Sequence, residues 1–486
     1  MQKAESPSLE RGRTSARQRL PVDLPNIGFI GGLILGLGAI YALSLALYEP
    51  TIDKITGVEA YNAIGGLLVA ALIIPLTLPL LKRESVRQGD RRLFMFLVLA
   101  LILKVVIGTL LRHYAAFDLY EGSADAAGYH GKGFHIMERF REGNFDPQLA
   151  SLTDTDFIRF LTGVLYTVIG PTSYGGFLVY SWLAFMGMFL FYRAFTMAVP
   201  EGRASTYGRL LFFLPSMIFW PSSIGKEAWM VFALGIAAFG AARILSGSAL
   251  RGLLIAGFGL WLGTLIRPHV PGMLGAALLI AFVLGRRYEP FKPIRPTVKI
   301  ATLGILLAAS FLLVTQTEGF LRETDILTVD GLTSALEKTS ERSAQGGSEF
   351  DPPIVRTPAD LPLAFGTVLY RPFLFEANNQ MAMLSAVEGL WLVMFSIWRL
   401  RWAIAALRTI RRQPYVALAG AYMLLFVIAF SSMPNFGLLA RQRVQLFPFF
   451  LVLLSIPYVK KKLAGDKPAA PADELHEDAA TVAATH

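Results

Sequence analysis

The sequence predicts an all-α, polytopic membrane protein, and three observations carry that prediction. Of 486 residues, 54% are hydrophobic and only 16% charged, whereas an average soluble domain is about 25% charged. The mean hydropathy is +0.51. Apolar runs near the length of about 20 residues that a helix needs to cross hydrocarbon recur about twelve times. Inside a bilayer the backbone must satisfy its own hydrogen bonds, so runs of this length read as helices.

In chain order the predicted spans are 27–47, 62–81, 93–111, 174–195, 207–221, 227–245, 250–266, 269–285, 298–315, 378–398, 415–431 and 443–458. The polar, basic residues 1–26 precede them, and the first run is too long for a signal-peptide core and lacks a small-residue cleavage site, so it reads as a retained span. Gly28, Gly32 and Gly36 at four-residue spacing on that span suit close helix packing. The Ala-, Pro- and acid-rich segment 459–486 reads as a disordered tail. The sequence contains no cysteine, which removes disulfides and thiolate metal sites.

Assigning loops alternately places about twice as many of the 45 Lys and Arg residues on the side carrying both termini, which the positive-inside rule makes cytoplasmic. The net charge of +10 is then a topological and headgroup signal that requires no nucleic acid. Two long polar segments, 112–173 and 316–377, fall on the outer side. The first holds an amphipathic stretch, 129–141, with Tyr129, Phe134, Met137 and Phe140 on one predicted face, which predicts a helix lying at the membrane surface. The run 157–169 is apolar but short, and making it a crossing would invert the charge bias of every later loop, so it reads as re-entrant or interfacial. The run 337–353, rich in Gly, Ser and charge, has the composition of a mobile flap.

The costly charges cluster on the outer side. Asp118 and Asp125 follow a span and precede the surface helix. A carboxylate there can act as a general base toward a hydroxyl, or Asp125 can cap the helix. His130 either faces solvent or touches substrate. Asp154 and Asp156 form a D-x-D pattern that can hold Mg²⁺ or Mn²⁺ through two carboxylates, or cap the next helix. Lys226 and Glu227 open a helix whose free N–H groups favour an anion such as phosphate, with a structural ion pair as the alternative. Arg267, Pro268 and His269 repeat the arrangement at the next outer turn. Arg371 and Glu376 lie among aromatics ahead of a later span, and Arg441 and Arg443 precede the last one. Guanidinium forks match phosphate or diphosphate, and headgroup binding is the alternative there. No Walker loop, G-x-S-x-G, H-E-x-x-H or dinucleotide fingerprint is present, so ATPase, serine hydrolase, zincin and nicotinamide chemistry lack support. Lys104 is an ionisable residue within a predicted span, but the spans do not read as the chain of buried charges of an ion-coupled carrier.

With the acid-bearing run 125–130 ahead of an amphipathic helix, outward cationic turns at Lys226, Arg267 and Arg441 to Arg443, and a second outer loop near the C-terminus, residues 93–458 resemble the GT-C class of integral membrane glycosyltransferases and the related polymerases and ligases of polyprenyl-linked sugars. The resemblance is architectural. It implies a plasma-membrane enzyme of bacterial type that uses a polyprenyl-linked sugar donor and a glycan, lipid or protein acceptor, with Asp125 as base and Lys226, Arg267, Arg441 and Arg443 near the lipid phosphate. The chain departs from the protein mannosyltransferase subgroup in lacking an adjacent Asp-Glu pair in the first loop, and its two leading spans are additional. A ligase or polymerase that relies on Arg and His without a carboxylate base is the enzymatic alternative, and a polytopic transporter or flippase the non-enzymatic one.

Overall fold

The computed structural model describes residues 27–48, 54–285 and 355–457, with isolated positions between 297 and 353. Residues 1–26, the 337–353 run apart from three positions, most of the predicted span 298–315 and the C-terminal tail lie outside the described residues. Every regular element among those described is helical. Five helices are long and apolar enough to cross a membrane: Tyr61–Gln88, Arg91–Leu119, Ser173–Ala198, Lys226–Leu245 and Gln380–Trp398. The pair Phe436–Gln445 and Phe447–Leu454, bent by 63°, makes a sixth if counted as one broken span. Ala249–Thr264, His269–Leu284 and Pro414–Phe430 are apolar but shorter.

Two expected crossings take a different form. The run 207–221 divides into Ala204–Phe213 and Pro215–Phe219. Pro215 cannot donate a helical hydrogen bond and forces extended backbone on Leu214 (ψ 124°), so the helix breaks there. The third helix runs to Leu119, about two turns beyond the predicted end. Two π-turns, Leu103–Gly108 and Ala115–Leu119, lie within it. In the first, the Lys104 side-chain nitrogen donates to the Ser222 hydroxyl (2.6 Å) and the Ile218 carbonyl (3.1 Å), so the wider turn accommodates a fully buried amine.

The central bundle is held by close backbone approach. The Ser173–Ala198 and Lys226–Leu245 helices run in the same direction, with Gly176 beside Ile224 and Gly187 against Val231 and Gly235. Any side chain at Gly187 or Gly235 would collide with the opposite backbone, which is how small residues bring helices together in lipid. Gly32 and Gly36 meet Leu76 and Leu72 of the second helix, the packing role expected of that motif.

The amphipathic stretch forms the helix Asp125–Arg141, and its covered face differs from the predicted one. Ala126, Tyr129, Gly133, Ile136 and Met137 are buried, while Phe134 and Phe140 are only partly so. Gly133 sits against Thr162 of the helix Asp154–Ile169, and Gly163 against Ile136. A helical repeat identifies an apolar face without specifying its cover, and here a second helix covers it.

Candidate functional site

The first long polar segment, the turns that open the Lys226–Leu245 helix and follow Thr264, and the short helix Phe436–Gln442 meet around one hollow of about 440 Å³. Asp125, Lys226, Glu227, Arg267 and Arg441 line it, together with Tyr129 and Thr155. Residues more than 300 positions apart in sequence thus share a wall.

Each cation in that wall faces a carboxylate. Arg441 Nη1 lies 2.9 Å from Asp125 Oδ2, Lys226 Nζ 2.6 Å from Asp154 Oδ1, and Arg267 Nη2 3.4 Å from Glu227 Oε1. The Asp125 and Asp154 side chains are 68% and 60% exposed, whereas that of Lys226 is 18% exposed. The cations are therefore sunk in the wall with two of the acids at its rim. Ion pairs this wet contribute at most about 1 kcal/mol, so an entering anion can displace Asp125 and Asp154 at small cost, while the Arg267–Glu227 pair is more enclosed. Buried nitrogens still free of any hydrogen-bond partner, Arg267 Nη1 and Arg441 Nε, add donor capacity.

Local structure places these groups. Asp125 is the first residue of its helix, and the cap position belongs to Ala124, which makes no side-chain cap bond. The Asp125 carboxylate is thus directed to Arg441 instead of to the helix end. Asp154 adopts a left-handed conformation (φ 53°), a region that Asp tolerates better than most residues. Its backbone N–H donates to the Leu265 carbonyl (2.7 Å), tying the start of its helix to the turn that carries Arg267. Burial by itself would raise the Asp154 pKa, but the Lys226 hydrogen bond and charge outweigh it and hold the carboxyl below its ordinary value. Tyr129 is held protonated, its pKa raised by burial and by the negative charges of Asp125 and Glu227.

The remaining predicted residues lie elsewhere. Asp118 is exposed and does not line the hollow. His130 turns inward, its Nδ1 2.8 Å from the Tyr166 hydroxyl, and burial lowers its pKa to about 4, leaving the ring neutral. His269 packs near the Phe430 ring (5.9 Å). The D-x-D carboxylates engage different cations, Asp154 with Lys226 and Asp156 with Arg159 (2.9 Å). Among the described residues no group of three or more His, Asp or Glu is arranged to hold a metal.

Arg371, Glu376 and Arg443 form a second cluster apart from the hollow. Arg371 and Glu376 make a two-pronged ion pair, and the Phe373 N–H donates to Glu376 at 2.8 Å. Burial pushes the Glu376 pKa up, but these Arg371 and backbone contacts dominate and leave it lowered. Arg371 also stacks over Phe350 (4.2 Å). Arg443 is fully buried, donates to the Arg371 carbonyl (2.8 Å) and faces the opposite charge of Glu388. Glu388 accepts from the Ser216 N–H at 2.7 Å.

Sequence reasoning missed Arg112. It had been placed at the start of the loop, but the extended helix carries it inward, where it is 5% exposed. Its guanidinium lies over Phe219 (5.1 Å) and Trp220 (5.3 Å), and Arg441 lies over the same indole at 5.5 Å. Among the described residues its buried Nε and Nη1 have no hydrogen-bond partner, and it interacts electrostatically with Arg441, Glu227 and Asp125. The available signal was a cation directly abutting an apolar run. Lys104 is likewise joined by Glu84, Arg112 and Glu388 as buried ionisable residues within the helices long and apolar enough to span.

Comparison with protein-family models, curated proteins and solved structures finds no match to this chain.

Proposed function

We propose that this chain is an integral membrane glycosyltransferase that moves a sugar or glycan from a polyprenyl phosphate or diphosphate carrier to an extracytoplasmic acceptor. In this reading the chain crosses the plasma membrane about twelve times with both termini cytoplasmic, and the hollow opens outward at headgroup height. The observation that carries it is the meeting of a solvent-facing carboxylate, Asp125, with Lys226, Arg267 and Arg441 in one cavity beside apolar helices. A carrier of this kind has a greasy tail that stays in the bilayer and a charged head that must reach water. A cationic hollow flanked by lipid-facing helices meets both needs.

The chemistry follows from exchange of partners. The donor's phosphate oxygens take Arg441 and Lys226 away from Asp125 and Asp154 and accept from the remaining Nη1 of Arg267, which frees the Asp125 carboxylate as a base. Asp125 then accepts the proton of an acceptor hydroxyl, the acceptor oxygen bonds to the sugar's anomeric carbon, and the bond from that carbon to the carrier phosphate breaks. The electron pair leaves with the phosphate oxygen, where the cations stabilise the negative charge.

Transfer from a polyprenyl-linked donor, assayed with the full chain in membranes, tests the reading. Asp125→Asn keeps size and fold but loses the base, and is expected to lower turnover about 10²- to 10⁴-fold while donor binding persists. Full activity in that variant, with Arg267→Ala and His269→Ala inactive, would instead favour a ligase or polymerase that needs no carboxylate.

A further inference from the structure

At the opposite end of the Ser173–Ala198 helix, about 40 Å along its axis from Ser173, lies a cationic cluster that the transferase reading does not use. Arg399 directly follows the Gln380–Trp398 helix and is 6% exposed. Its guanidinium stacks on the Trp402 ring at 3.4 Å and lies 4.9 Å from that of Trp398. Arg203, which follows the Ser173–Ala198 helix, lies over the same Trp402 ring at 5.3 Å. The charges acting on Arg399 are those of Arg203 and Arg209, both of its own sign. Glu201, the acid nearest in sequence, accepts from the Gln413 side chain at 2.7 Å. Among the described residues the buried Nε and Nη1 of Arg399 have no hydrogen-bond partner.

Like charges gathered on one indole repel, and buried guanidinium nitrogens without acceptors forfeit hydrogen bonds. An anion removes both penalties. The adjoining surface indicates what carries that anion. The short helix Leu400–Arg408 leaves Leu400, Ile404 and Leu407 exposed at helical spacing, beside the exposed Ile397 and Trp398 of the preceding span. Such an apolar stripe beside cations and tryptophans is suited to the boundary between headgroups and acyl chains.

We propose that Arg399 and Arg203, stacked on Trp402 and supported by Arg209, form a binding site for the headgroup phosphate of an anionic phospholipid, whose acyl chains lie along Leu400, Ile404 and Leu407. The stripe commits the site to a lipid instead of a free phosphate ion. It stands independently of the transferase reading, since it lies at the other end of the bundle.

Thermal unfolding of the full chain in detergent, titrated separately with phosphatidylglycerol, phosphatidylcholine and inorganic phosphate, tests the site. Phosphatidylglycerol is expected to raise the unfolding temperature at concentrations where the other two do not. The concentration needed should rise about fivefold for each arginine neutralised in Arg203→Gln and in Arg203→Gln/Arg399→Gln. The double variant Arg411→Gln/Arg412→Gln, altered at exposed basic residues nearby, should respond as the unaltered chain does. Equal responses to the two lipids, an equal response to inorganic phosphate, or an equal loss in the Arg411/Arg412 variant would overturn the proposal. If Arg399 proves necessary for folding, the exposed Arg203→Gln alone retains the readout.

Discussion

The hollow and the Arg371–Arg443 cluster use the same residue types near helix ends, yet two of the acids at the hollow, Asp125 and Asp154, are treated differently from those of the other cluster. Around the hollow, carboxylates 60% or more exposed meet cations through single contacts at Asp125 and Asp154. In the other cluster Arg371 grips Glu376 with two nitrogens and a backbone N–H adds a third contact. A pair of the first kind can trade its partner for a ligand. A pair of the second kind holds the chain in place, because breaking it leaves a partly buried charge short of partners. Charge type and location in sequence are thus a poor guide to role, and burial with the number of contacts is a better one.

The comparison breaks most visibly at Arg443. Arg443→Ala removes its hydrogen bond to the Arg371 carbonyl and the opposite charge acting on buried Glu388, and is expected to cost about 2–3 kcal/mol of stability, read as a loss of folded protein in detergent. Arg441→Ala, two residues away, should change stability by no more than about 1 kcal/mol while impairing glycan transfer. Equal destabilisation by the two would remove the distinction between the clusters.

Arg112 tests how deep the functional region extends. Its unpartnered nitrogens imply that Arg112→Gln lowers transfer efficiency by about 10- to 100-fold, the value of one or two hydrogen bonds to a charged group. The loss of its contacts to Phe219 and Trp220 should cost only about 1 kcal/mol of stability. Unaltered transfer kinetics would return Arg112 to a packing role.

A smaller effect concerns pH. His130 has a folded pKa lowered from 6.5 to about 4, so between those values the unfolded chain binds a proton that the folded chain refuses. Stability should therefore rise with pH across that window and be lost as pH falls through it. His130→Gln, which retains a hydrogen-bonding group for Tyr166 without the titration, should flatten the curve of unfolding temperature against pH. An unchanged curve would show that other groups govern it.

The helical class and the position of several long apolar helices were legible because hydrocarbon imposes a length and a composition on each crossing. The runs at 174–195, 227–245 and 378–398 correspond to Ser173–Ala198, Lys226–Leu245 and Gln380–Trp398. The Arg91–Leu119 helix ran past its predicted end because residues 112–119 are polar enough to end an apolar window but not a helix whose neighbours accept their polar groups. His113, for example, bonds Ser173 at 2.8 Å and stacks on Tyr174. The break at Pro215 was written in the sequence, but the hydrophobicity on both sides concealed it.

The sequence by itself determined that the chain is helical, with several helices apolar enough to cross a membrane, and which cations and acids border its apolar runs, because these follow from local composition. Only the tertiary structure decided which of them meet. It brought Asp125 to Arg441 and Asp154 to Lys226, drew Arg371, Glu376 and Arg443 into a separate cluster, and carried Arg112 inward. The reason is physical: a charge at a helix end finds its partner through the register and tilt of packed helices, set by contacts such as Gly187 with Gly235, and no local property of the chain encodes that geometry.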